Sequence, residues 1–222
     1  MFGEGNAVIP KNGMGVIAKQ LSKGLLRSEI QYGKRVKEVL ANEIILHDES
    51  RIQADSIIIA TDGTPVLKNV ITDIQWKGST CLYFETEKKV IKDPIIGLIA
   101  DEGALINNIF YPSSLEGQAK GKELLSVTVV KEHGLSEKDL VNHVKTELKS
   151  YCEITTNRHL KTFYMPKSLP NLKNVKNDID PSSTKISDHI FAAGDYLING
   201  SQHAAILSGE RAAEGLLEDM NK

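Results

Sequence analysis

The chain has 222 residues, of which 41% are apolar and 25% charged, with a formal net charge of −2. That length allows one domain or two small ones around a sizeable core, and the small net charge excludes a basic surface built for nucleic acid or acidic membrane. No apolar run approaches the roughly 18–20 residues needed to span a bilayer, and the opening MFGEGNAVIPKNG lacks the regions of a signal peptide, so a soluble, cytoplasmic protein is expected. Cys81 and Cys152 lie far apart and in no CxxC pair. They read as small apolar packing residues in a reducing compartment, and no metal site is expected.

In chain order, residues 13–26 read as a helix, with Val16, Ile17, Leu21 and Leu25 on one side. Three strands follow, RVKEVL, EIILH and SIIIATD, with the turn DES before the third. Ile57-Ile58-Ile59-Ala60 is a continuous apolar run, as in a strand covered on both faces. After DGTPVL come four strand candidates, STCLYFET, PIIGLIA, ALINNIFYP and LLSVTVV. SEKDLVNHVKTELKSY is then a helix with Ser136 as N-cap and Leu140, Val141, Val144 and Leu148 on one face. A strand near HLKTFYMP precedes a polar surface loop, NLKNVKNDIDPSSTKISD. The chain closes with the short strand HIFAAG, a loop and a helix rich in small residues.

A dinucleotide fingerprint needs GxGxxG straight after a strand. The near match GEGNAV, residues 3–8, has Val8 in place of the third glycine and no strand before it, and KNGMG lacks the GK[ST] of a phosphate loop. This sequence therefore carries no pyrophosphate cradle of the usual kind. The closing segment has a physics of its own. A strand ending in Ala193-Gly194 brings the backbone to the carboxyl edge of a sheet, where α/β proteins hold ligands. Asp195 is an acceptor just past that edge. Ser201 opens a helix whose unpaired N–H groups favour an electron-rich group. By spacing alone, close packing of a terminal helix with Asp195 as a turn residue accounts for the segment better than a ligand site does.

FAAGDYLINGSQHAAILSGERAAEGLL resembles the C-terminal flavin-contacting segment of the flavin-containing amine oxidoreductase superfamily, which includes phytoene desaturases, protoporphyrinogen oxidases and monoamine oxidases. PKNGMGVIAKQL resembles that family's P-x-G-G-M element, with Asn12 for the first glycine; asparagine tolerates left-handed backbone. RVKEVLANEIILHDESRIQADSIIIATD resembles its V-x-x-I, V-x-L, D-G, A-D-x-V-I-x-A-T block, and MPKSLPN a segment of the desaturase-like branch near the substrate face.

The resemblance implies an α/β (α+β) fold: a partial FAD-binding Rossmann-like domain, residues 1–69 and 187–222, with an inserted, mainly antiparallel substrate-domain sheet, residues 70–186. The pyrophosphate-binding half would lie in sequence outside this chain or in a partner chain. FAD would then be the cofactor of the complete protein and would bind this portion weakly or not at all. A small-molecule substrate is implied, and the face left for the absent half also offers a homodimer contact. Carried over residue by residue, Val36 matches a main-chain contact to adenine, Asp195 with Gly194 before it matches the ribityl-binding acid, and Ser201, Gln202, His203, Ala204 and Ala205 match the helix start facing the flavin. No catalytic base, triad or carboxylate pair stands out. Tyr83, Tyr111, Tyr164 and Trp76 are core candidates that could alternatively line a substrate channel. Thr61 and Asp62 end a strand expected to be central. The His203 side chain faces solvent or substrate while its backbone does the binding, and His143 is read as solvated on a surface helix.

Overall fold

A computed structural model describes residues 9–25, 27–62, 74–115 and 122–221. GEGNAV and Leu26 lie outside the described residues. The chain forms two compact units. One comprises Met1–Glu29 and Gly78–Pro166, the other Ile30–Lys77 and Lys167–Lys222.

The first unit is built on a five-stranded sheet. Its strands are β5 (Trp76–Thr86), β6 (Gly97–Leu98), β7 (Ile106–Phe110), β8 (Glu123–Val129) and β9 (Thr156–Pro170), in the order β6-β7-β8-β5-β9. The pairs β5–β8, β6–β7 and β7–β8 are antiparallel. Alternation puts Leu82, Phe84, Leu125, Val127 and Val129 on one face, and helix α2 (Glu137–Cys152) lays Leu140, Val141, Val144 and Leu148 on it. The Ser136 side chain caps α2 by accepting from the Asp139 N–H. Tyr111 is core rather than channel lining, almost wholly buried in this cluster. Cys81 is buried and Cys152 packs against the core, both as free thiols. Helix α1 (Gly15–Lys23) buries none of its residues. It begins later than residue 13 because Gly13 (φ 83°) closes a turn on the Pro10 carbonyl. The left-handed residue of PKNGMG is thus Gly13 and not Asn12.

The second unit contains two three-stranded sheets. In one, β1 (Val36–Leu40), β2 (Glu43–Leu46) and β3 (Arg51–Gln53) run antiparallel in the order β1-β2-β3. The turn DES leads into β3, a strand the hydropathy pattern misses because all of its residues are exposed. In the other, β4 (Ile57–Ile59) lies parallel to β11 (Ile190–Ala192), and β10 (Lys185–Ser187) pairs antiparallel with β11 on its far side. The polar stretch read as loop thus contains β10 and a short 3-10 turn at Pro181–Thr184. Residues 167–186, read from the sequence with the inserted sheet, group here. The Asn171 N–H donates to Gln75, the Lys176 N–H to Ile198, and Asp178 pairs with Arg211.

Each face of the parallel pair has its own cover. Ile57, Ile59 and Ile190 meet Val39 and Ile44 on one side. On the other, Phe191 and Ala193 meet Ala212 and Leu216 of α3 (Gln202–Met220). Ile58 shares that second face but stays 38% exposed, because among the described residues β4 is the edge strand and α3 sits over β11 and β10. The run 57–60 is therefore not covered on both faces, and Thr61 and Asp62 follow an edge strand rather than a central one.

Glu147 breaks the apolar face of α2 and is 7% exposed. Its carboxylate accepts from the N–H groups of Leu105 (2.8 Å) and Ile106 (2.9 Å), just before the register shift between Ile106 and Asn108 of β7, and it contacts His143 Nε2 at 3.0 Å. His143 is therefore paired rather than simply solvated. Removing this acceptor leaves two buried donors unmet. Glu147→Ala is expected to cost about 2–4 kcal/mol and Glu147→Gln less, read as the shift in urea midpoint; equal stability of all three proteins would refute the role.

Candidate functional site

The site residues inferred from sequence lie in the second unit. β11 ends at Ala192, and its Ala193 N–H donates to the Ile59 carbonyl (2.9 Å), the last link of the parallel ladder. Because Ile59 and Ala192 are in register, Asp62 and Asp195 each stand three residues past their strand at the same carboxyl edge. From there the chain folds back on itself. Asp195–Leu197 forms a 3-10 turn, and the Asp195 carbonyl accepts from the N–H groups of Ile198 (3.1 Å) and Gly200 (2.9 Å). Gly200 adopts φ 72°, the left-handed region where glycine is favoured. This closed loop sets Ser201, the N-cap of α3, beside Asp195.

Which donors remain open at the helix start follows from its capping. The Ala204 N–H donates to Ser201 Oγ (3.0 Å), the Ala205 N–H to the Ser201 carbonyl (3.0 Å), and the Ser201 N–H to Asn199 Oδ1 (3.3 Å). Among the described residues, only the Gln202 and His203 N–H groups of this stretch have no acceptor. Both residues are exposed, and they sit at the positive end of a 19-residue helix. Ala204 is buried against Ile179 and Ile198, while Ala205 is exposed. The Asp195 carboxylate receives no hydrogen bond from any described residue. Val36 opens β1 opposite Leu46 and no hydrogen bond joins it to the 194–205 loop.

Packing constrains the same segment. Ala204, Ser208, Ala212 and Gly215 form one buried strip along α3. At Gly215 a Cβ would lie 2.4 Å from the Pro181 carbonyl oxygen, so the helix is thin here because the chain runs against it. Gly194 is extended (φ 166°) and is glycine for lack of room, since a Cβ would stand 2.2 Å from the Tyr196 ring. Arg211 clamps α3 to the preceding loop, meeting Asp178 at 2.9 and 2.8 Å. That guanidinium, with the Ile179 N–H, holds the Asp178 carboxyl down at about 2.

Other chemical groups gather near the edge. Lys167 Nζ pairs with Asp62 at 2.6 Å and lies 5.8 Å from the centre of the Trp76 ring. Trp76 Nε1 and Tyr196 Oη are buried without hydrogen-bond partners among the described residues. Burial first, then the carboxylates of Asp195 and Asp62, push the Tyr196 phenol up to about 12. Sequence reading did not single out Tyr196 or Lys167; an aromatic directly after Gly-Asp is the available signal for Tyr196. Tyr83 is half-buried against Phe163 in the first unit, Tyr164 is exposed there, and His203 is exposed in the second.

Ser208 ties helix to strand end: its Oγ accepts from the Gly194 N–H (2.8 Å) and donates to the Ala205 carbonyl (2.9 Å). Ser208→Ala leaves the Gly194 N–H unmet in a fully buried spot, so a loss of about 1–3 kcal/mol is expected. Hydrogen exchange at Gly194 should accelerate with it; unchanged exchange and stability would show that the bond carries no weight.

The solved structures with similar folds share little sequence with this chain. A CLA-producing fatty acid isomerase from P. acnes is 8% identical with a TM-score of 0.63, over 91% of this chain and 52% of its own. An oxidoreductase from Methanosarcina mazei is 15% identical with a TM-score of 0.61, over 96% and 55%. A variant of putrescine oxidase is 11% identical with a TM-score of 0.61, over 93% and 53%. The chain thus spans about half the length of the structures it matches. No curated protein matches it. The sequence model of flavin containing amine oxidoreductases matches residues 1–217, nearly the whole chain, and the chain belongs to that family.

Proposed function

We propose that this chain is the C-terminal part of an FAD-dependent oxidoreductase that dehydrogenates an apolar or amine-bearing organic molecule by hydride transfer to flavin. The observation that carries the reading is one short loop presenting complementary open groups: the Asp195 carboxylate as acceptor, and the Gln202 and His203 N–H groups as donors at a helix N-terminus. These fit a flavin. Its ribityl hydroxyls suit a carboxylate acceptor, its pyrimidine edge suits paired N–H donors, and the buried Tyr196 hydroxyl, without a partner among the described residues, adds polar capacity.

A bound flavin supplies the hydride acceptor. The part of this chain is binding and electrostatics. The open N–H groups and the positive end of α3 favour negative charge on the ligand edge they face, an effect worth roughly 0.3–2 kcal/mol for the dipole alone. Ser201 holds that turn in place, and Asp195 orients a ligand hydroxyl. In this reading the second unit belongs to the flavin-binding body, Val36 lies at the adenine, and the sheet of the first unit is the floor of the substrate site.

A second reading rests on exposed surface. Helix α1 buries nothing, Leu21 within it and Met14 and Leu25 beside it are about half exposed, and among the described residues β4 is a sheet edge. Such surfaces suit a companion polypeptide carrying the pyrophosphate-binding half, or a second copy of this chain. A non-catalytic assembly subunit would use them without turning over a substrate, and an adjoining GxGxxG-encoding sequence would favour the enzyme instead.

FAD fluorescence quenching separates these outcomes. The chain is expected to bind FAD weakly, in the range reached by a ~1 mM titration, and Asp195→Ala to weaken it roughly 10-fold or more through loss of a charge-assisted bond. Equal binding by both proteins would remove Asp195 from the site.

A further inference from the structure

At the candidate site, the fold buries a hydroxyl it does not use. Tyr196 is 8% exposed, its ring lies flat enough on Gly194 to forbid a Cβ there, and its O–H has no hydrogen-bond partner among the described residues. The two carboxylates that act on it differ in availability. Asp62 is engaged by Lys167 at 2.6 Å, whereas Asp195 accepts from no described donor. A buried hydroxyl without a partner is a standing cost to a fold, and it persists most readily where a ligand removes it.

The chemistry of the neighbouring residues says what that ligand group is. A carboxylate only accepts, and a phenol that keeps its proton donates. Side by side in the chain, Asp195 and Tyr196 offer an acceptor and a donor. A ligand carbonyl could use only the phenol, and a ligand ammonium only the carboxylate. A hydroxyl both donates and accepts, and so uses the two together. We propose that Tyr196 is a ligand-binding residue whose hydroxyl donates to a polyol chain, at a hydroxyl that in turn donates to Asp195. This rests on the flavin reading above and assigns Tyr196 to the ribityl-type chain rather than the ring. Solvent does not reach the phenol in the free chain, so ligand entry parts the side chains over it.

The test compares the unmodified chain with Tyr196→Phe, which keeps the ring on Gly194 and removes only the hydroxyl. Without ligand, Tyr196→Phe is expected to raise the thermal midpoint by roughly 2–4 °C, since an unmet group is gone. With ligand the order reverses. Binding of FAD is expected to weaken about 5- to 10-fold, while lumiflavin, which has the ring system without the polyol chain, binds both proteins equally. A lower midpoint for Tyr196→Phe would show that the hydroxyl already has a partner, and unchanged FAD binding would show that the ligand does not use it; either overturns the assignment. An unmodified chain that takes up neither flavin overturns the flavin reading, and this inference with it.

Discussion

Two three-residue strands, Ile57–Ile59 and Ile190–Ala192, lie parallel and in register, and the candidate site depends on that pairing. Parallel neighbours cannot be joined by a tight turn, and here the connection includes the whole sheet of the first unit. The pairing draws the early and late parts of the chain together. It brings Asp62 and Asp195 to one carboxyl edge, where open α/β sheets hold ligands. Ile57, Ile59 and Ile190 are covered by β1 and β2 on one side, and Phe191 by α3 on the other. Little apolar area is involved, so α3 must be fixed by polar means as well. The Asp178–Arg211 fork and the Lys185–Asp219 pair, at 2.8 Å, together with the buried Ser208, do that work.

The residues of α3 divide between two tasks. Ala204, Ser208, Ala212 and Gly215 form the buried strip, Ala204 against Ile179 and Ile198, Ala212 against Phe191 and Ala193, and Gly215 against the Pro181 carbonyl. The exposed residues Gln202 and His203 carry the open donors. Close packing and ligand binding are therefore not rival readings of this segment. Packing sets where the helix begins, and its beginning leaves two N–H groups unspent. Capping by Ser201 Oγ is part of this, since it uses the Ala204 donor and holds the first turn in shape.

Legibility from sequence followed burial. Helix α2 was readable to its N-cap because Leu140, Val141, Val144 and Leu148 repeat on one face and Ser136 precedes them. The strands β5, β7 and β8 were readable because they alternate against that helix. The exposed β3 and the short β10 lack any apolar period, so nothing in the pattern marks them. Continuity of apolar residues at 57–60 suggested a central strand, but whether a strand has neighbours on both sides is a property of topology, which local hydropathy does not encode. At the candidate site, Gly194, Asp195 and Ser201 were singled out by resemblance. Tyr196 was not, because an aromatic in a short loop looks the same whether or not its hydroxyl has a partner. Nor was Glu147, whose partners are the N–H groups of Leu105 and Ile106, some forty residues away in the chain.

The central claim is that the loop from Gly194 to the first turn of α3 is where this chain meets flavin. Backbone amide NMR of the 15N-labelled chain during an FAD titration tests it most directly. The account predicts that the largest shift changes fall on Gln202 and His203, with smaller ones at Gly194 and Asp195. Changes concentrated elsewhere in the chain, with these four amides unmoved, would contradict it.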